Sequence, residues 1–140
     1  MDFSILAQQL RDLLKSNARL LVYIQGSPDP DALASSFALQ QVAGQFGCEA
    51  VIAAMSGPSL PQNRKLIERI QVDLDVWKSL PALNKFDGYA VLDYQSAKVN
   101  QLSEKLPCLI HIDHHAEINE SIEVSFKVLS DDVGSTSTVM

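Results

Sequence analysis

The sequence predicts an α/β fold: a mostly parallel sheet of about five strands with helices on both faces. Three observations predict it. Short apolar runs of strand type alternate with helix-periodic segments along the whole chain. The breaks between them carry Gly, Pro, Asn or Asp, the residues that turn a chain. The 140 residues, 46% hydrophobic and 20% charged, suffice for one α/β domain with one core and do not match a disordered chain.

Phe3, Leu6, Ala7, Leu10, Leu13 and Leu14 recur at the spacing of an amphipathic helix, with a stop at Asn17. Residues 20–25 read as a short buried strand. Residues 26–30 form a loop, and Pro30 suits the first turn of the next helix, where a missing N–H costs little. That helix runs to Phe46 with Leu39, Val42, Ala43 and Phe46 on one face, and Gly47 ends it. Residues 49–54 are a second strand, and 56–58 a turn. Residues 61–70 form a helix bearing Leu66, Ile67 and Ile70. Residues 71–83 are ambiguous and leave room for a short strand. A third clear strand covers 88–92 and ends at Asp93. A helix is expected over 97–106, stopped by Pro107. Residues 108–112 form a fourth strand, and 122–129 alternate well enough for a fifth. A helix should begin near Gly134. A helix starting so late has little to pack against, so residues 1–140 are expected to be one domain of a longer protein.

Composition narrows the function classes. The net charge of −6 argues against a duplex-binding module, because a free acidic surface does not attract long nucleic acid. Bound divalent cations would reverse that sign locally, so a phosphate-bearing small molecule or short oligonucleotide stays open as a partner. The apolar runs are too short to span a bilayer, and the first residues lack the pattern of a signal peptide, so a cytoplasmic protein without a membrane partner is expected. Cys48 and Cys108 form no CxxC pair and read as buried thiols.

The polar residues gather at the strand ends. Asp29 and Asp31 follow the first strand, and Asp93 follows a later one. Asp113, His114 and His115 follow the next, and Asp131 the last. In an open parallel sheet the ligand site lies beyond the carboxyl ends of the strands. Taken singly, Asp29 and Asp31 would serve as helix caps and Asp93 and Asp131 as turn residues. Taken together, so many carboxylates at one rim would repel one another unless cations separate them. Carboxylate with imidazole suits Mn²⁺, Mg²⁺, Fe²⁺ or Zn²⁺ better than calcium. Two ions about 3.5–4 Å apart would acidify a water and clamp an in-line phosphoryl displacement.

Pro28-Asp29-Pro30-Asp31-Ala32 resembles the first motif of the DHH phosphoesterase superfamily. Val91-Leu92-Asp93 resembles the second and Ile112-Asp113-His114-His115 the third. Leu129-Ser130-Asp131, followed by 134–138, resembles the fourth. The resemblance covers nearly the whole chain and implies a two-metal hydrolase of phosphodiester or phosphoanhydride bonds. Short nucleotides, cyclic dinucleotides and polyphosphate are the implied substrates. It implies two Mn²⁺ or Mg²⁺ ions: Asp29 on one, Asp31, His114 and Asp131 on the other, and Asp93 bridging both. Asp113 would orient its neighbours and His115 would face the phosphate. Gly134, Ser135 and Thr136 would offer N–H groups and hydroxyls to a phosphate at a helix start, or act as a plain helix cap. Longer members carry a second, smaller domain that closes over the site, so this segment alone would be nearly inactive. A homodimer is the assembly considered for the longer protein.

One position departs from the pattern. The superfamily's first motif opens with a metal-binding histidine where this chain has Gln25, an amide that replaces imidazole poorly at a transition metal. The first site would then be weak, oxygen-rich or missing. His111, inside its strand, reads as a structural histidine. Two further readings follow: a catalytically degenerate nucleotide-binding regulatory module, favoured by Gln25, and a response-regulator-like acidic pocket, which leaves His114 and His115 without a role.

Overall fold

A computed structural model describes residues 2–115 and 122–140. The elements run α1 (Phe3–Lys15), β1 (Arg19–Ile24), α2 (Pro30–Gln45), β2 (Glu49–Ala54), α3 (Pro61–Ile70), β3 (Leu74–Val76), β4 (Gly88–Leu92), β5 (Cys108–Asp113), β6 (Val124–Leu129) and α4 (Thr136–Val139). The six strands make one sheet in the order β3-β2-β1-β4-β5-β6, and every pairing is parallel. The expected α/β class and parallel sheet stand, with one strand more than expected. The addition is β3, three residues inside the ambiguous stretch and too short to show a period of its own.

Local chemistry sets the helix ends. Asp2 caps α1 by accepting from Ser4 N–H at 3.0 Å. Asp29 caps α2 by accepting from Ala32 N–H at 2.8 Å, and Pro30 fills the first turn. Gly47, at φ +79°, turns the chain from α2 toward β2. One face of the sheet (Leu20, Val22, Ile24, Ile52, Ile110, Ile112) packs against Leu14 of α1 and Leu33, Leu39 and Ala43 of α2, with Leu66, Ile67 and Ile70 of α3 beside them. The other face (Leu21, Tyr23, Tyr89, Val91) is covered by Leu83, Phe86, Ala97, Val99, Leu102 and Leu106.

That second cover corrects one expectation. Residues 97–106 form a chain of turns, not a helix. Gln101 has φ +68°, which an α-helix excludes. The Ser103 hydroxyl accepts from Val99 N–H at 2.8 Å, and the buried Tyr89 hydroxyl donates to Ala97 C=O at 2.7 Å. The tyrosine thus takes a carbonyl that a helix over 97–106 would have paired internally. The apolar spacing is helical, but the segment is held by Tyr89 of β4 and by its own Ser103, contacts that the spacing does not display.

Gly88 opens β4 against the turn into β5. A Cβ there would lie 2.5 Å from Leu109 Cγ and 2.8 Å from the Pro107 carbonyl oxygen, whose backbone has no room to move aside. Gly88→Ala should therefore destabilise the fold by about 1–3 kcal/mol, the range for overpacking. Urea unfolding of the two chains would show it, and an unchanged midpoint would contradict the packing described.

Candidate metal centre

The strand order reverses at β1: the chain moves outward through β2 and β3, then returns to place β4 on the other side of β1. Ligands of open α/β sheets bind at such a switch point, beyond the strand C-termini. Asp29 and Asp31 follow β1 there, Asp93 follows β4, and His114 and His115 follow β5.

Three of these side chains meet. His114 Nε2 lies 3.2 Å from Asp93 Oδ1 and 3.5 Å from Asp31 Oδ2. Ligand atoms of Asp93, His114 and His115 all lie within 4.8 Å of one another, a group that could hold a metal ion. His115, assigned from sequence to the substrate side, thus also stands within reach of such an ion. Its Nδ1 lies 2.6 Å from Asp113 Oδ1, and the rings of His114 and His115 are 4.4 Å apart. Asp113 is fully buried, so this contact fixes the His115 ring from below.

The charges are strained as expected of a cation site. Burial, and the neighbouring carboxylates Asp31 and Asp29, push Asp93 up to about 7. Asp31 is also pushed upward by burial, but N–H groups of Ser137 and Thr136 outweigh this and hold it below its ordinary value. The two carboxylates interact, and the pair's first proton resides on Asp93. The Asp113 hydrogen bond raises His115 against the opposing effect of burial.

Other expected site residues are placed differently. Asp29 is exposed and occupied in part by its cap on α2, though its charge still reaches Asp93. Asp131 is exposed on the turn after β6 and, among the described residues, makes no hydrogen bond or ion pair to Asp31, Asp93 or His114. Thr136 and Ser137 N–H groups each donate to Asp31 at 2.8 Å, and the Thr136 hydroxyl donates to Asp93 at 3.2 Å. The amides at the start of α4, expected to face a phosphate, are thus taken by a carboxylate. Gly134 is exposed, and the Ser135 hydroxyl pairs with those of Ser137 and Thr138. Gln25 is half-buried directly after β1, and its amide oxygen is buried without a hydrogen-bond partner among the described residues. Sequence reasoning missed Thr136 as the hydroxyl that ties Asp93 to α4, and a buried threonine in a Ser/Thr run gives no signal of that contact.

The fold and cluster define a class: an α/β domain with a parallel sheet, bearing at its switch point a carboxylate–imidazole group able to hold a metal ion. No family model matches the chain. An uncharacterized protein of Methanocaldococcus jannaschii is 29% identical over 127 residues, which span 90% of this chain and 26% of that protein. Among solved structures, an exopolyphosphatase-related protein from Bacteroides fragilis superposes with a TM-score of 0.63 at 15% identity, covering 94% of this chain and 42% of that one. At that identity the likeness is one of fold. The chain thus spans about a quarter of the curated relative and under half of the solved neighbour. Among the described residues no helix is long and apolar enough to cross a membrane.

Proposed function

We propose that this chain is the metal-binding domain of a cytoplasmic phosphohydrolase of the DHH type, acting on phosphodiester or phosphoanhydride bonds of short nucleotides, cyclic dinucleotides or polyphosphate. The observation that carries the reading is the spacing of donor atoms. Ligands about 2.1 Å from an ion stand roughly 3.0 Å apart at octahedral and 3.4 Å at tetrahedral angles. His114 Nε2 stands 3.2 and 3.5 Å from the carboxylate oxygens of Asp93 and Asp31. Carboxylate with imidazole also suits Mn²⁺ by donor type. The four motifs and the fold shared with an exopolyphosphatase-related protein support the same reading.

In this proposal Asp31, Asp93 and His114 hold one ion, and Asp131 joins them on the strength of the motif resemblance alone. Asp93 and Asp29 hold the other, with the Gln25 amide oxygen as a hard, neutral donor that tolerates Mg²⁺. Bound divalent ions supply an acidified water and offset charge on the phosphoryl group. Asp113 accepts from Nδ1 of His115, which leaves Nε2 to carry a proton toward the leaving oxygen. Gly134 and Ser135 are the part of their turn left to contact a phosphate. With ions bound, that water would be placed for in-line attack on phosphorus without a covalent enzyme intermediate.

Gln25 favours a second reading, a nucleotide-binding regulatory domain with a weakened first site. Both are tested by assaying the full-length protein with Mn²⁺ against linear dinucleotides, cyclic dinucleotides, polyphosphate and pyrophosphate, beside Gln25→His. The enzyme reading expects turnover in the unaltered protein and about tenfold more in Gln25→His with Mn²⁺, within the span over which metal-site partners change activity. Nucleotide binding without turnover in either protein would favour the regulatory domain.

A further inference from the structure

The buried histidine His111 sits inside β5, three residues before His114, and the proposed metal centre gives it no role. Its Nε2 lies 2.7 Å from the backbone carbonyl oxygen of Tyr94. A carbonyl oxygen only accepts, so Nε2 carries the hydrogen and donates. Tyr94 immediately follows Asp93, and Asp93 has φ +60°.

That left-handed backbone angle is uncommon for a residue with a Cβ and persists where surrounding contacts over-determine it. Two contacts with β5 do so. Asp93 N–H donates to Ile112 C=O at 3.0 Å, and one residue later Tyr94 C=O accepts from His111. The left-handed turn is therefore pinned at both ends. Its consequence is the placement of the Asp93 carboxylate, which turns from the end of β4 toward Asp31, Thr136 and His114 instead of continuing the strand. A leucine at position 111 would keep the bulk of a buried β5 residue but would leave the Tyr94 carbonyl without its donor.

We infer that His111 is a positioning residue for Asp93: its Nε2–H clamps the left-handed turn at 93–94 and so sets the geometry of the shared carboxylate. The metal part of this inference rests on the proposed function, and the turn part does not. Backbone-resolved hydrogen exchange and Mn²⁺ calorimetry on the metal-free chain test them separately, with His111→Leu and His111→Gln, the latter keeping an N–H donor at a comparable reach. His111→Leu should keep its core amides protected but speed exchange at Asp93 by tenfold or more, and should weaken Mn²⁺ binding by 10–100-fold, the range for partners that orient ligands. His111→Gln should recover most of both. Unchanged exchange at Asp93 in His111→Leu, or equal loss in both variants, would overturn the positioning role. If the unaltered chain binds no Mn²⁺, the metal reading falls while the exchange comparison still decides the role of His111.

Discussion

On the proposed metal centre, Asp93→Asn is expected to weaken Mn²⁺ binding by 100-fold or more, while making the metal-free chain more stable at pH 8. The two effects have one cause. Asp93 is 5% exposed at its side chain, faces Asp31 and Asp29, and takes up its proton at about 7. In the unfolded chain it would titrate near 3.8. A raised folded value means that the native state holds the extra proton between those two pH values, so its stabilising contribution is complete below about 4 and is lost as pH rises through about 7. A shift of this size corresponds to roughly 2–4 kcal/mol, allowing for the proton shared with Asp31. Asp31 runs the other way, since its lowered value gives stability that disappears only as pH falls below the ordinary carboxylate range. His115, raised as well, loses its contribution above its ordinary 6.5, in the same direction as Asp93. The variant separates them: asparagine can still accept from Thr136 but carries no charge, so the fall in melting temperature between pH 5 and 8 should be much smaller than in the unaltered chain. Cation binding should mirror this. Below pH 7 a proton must leave Asp93, and the ligating imidazole must be neutral as well, so Mn²⁺ affinity should rise at least tenfold per pH unit and flatten above it, with one proton or more released per ion at pH 6. Calorimetry in buffers of different ionisation heat measures that release. Mn²⁺ binding of undiminished strength in Asp93→Asn would remove the shared carboxylate from the centre.

The parts of this molecule that were legible in its sequence are those governed by local chemistry. Leu6, Leu10, Leu13 and Leu14 announce α1 by period alone, and Pro30 and Gly47 bracket α2, the proline by fixing its own φ and the glycine by tolerating a positive one. The strands β1 and β4 are nearly continuous apolar runs because both faces of the sheet are covered, and β5 is interrupted only by His111 before it ends at Asp113. The meeting of Asp31, Asp93 and His114 follows from the parallel order, which delivers all strand C-termini to one rim. What stayed hidden depends on partners far along the chain. Residues 97–106 have helical spacing, but Tyr89 and Ser103 hold them as turns. Thr136 lies 105 positions from Asp31, and no local pattern says that its amide will serve a carboxylate. Asp131 shows the reverse difficulty: a motif position can be recognised from its neighbours, yet its side chain is exposed in the structure. Gln25 was visible as a departure, and only the structure adds that its amide oxygen is buried and unpaired among the described residues.

On the proposed function, His115→Asn should lower kcat of the full-length protein by about 10²–10⁴-fold on a dinucleotide, whose leaving alkoxide needs a proton, and by far less on a p-nitrophenyl phosphate ester, whose leaving phenolate does not. The geometry supplies the reason. Asp113 is fully buried and holds Nδ1 at 2.6 Å, so the proton available for transfer is the one on Nε2. The same contact favours the protonated ring in the metal-free chain, and bound cations would act against it. Activity on the dinucleotide should fall as rising pH deprotonates His115, because the deprotonated ring has nothing to donate. Asp113→Asn removes the carboxylate that raises His115, so the same descending limb should move to lower pH, with a smaller loss of kcat than His115→Asn. The alternative is that His115 serves as a metal ligand, for its ring also lies within reach of Asp93 and His114. A ligand would act on both substrates alike and on Mn²⁺ affinity. Equal loss for the dinucleotide and the p-nitrophenyl ester, accompanied by weaker Mn²⁺ binding, would therefore reassign His115 from the leaving group to the ion.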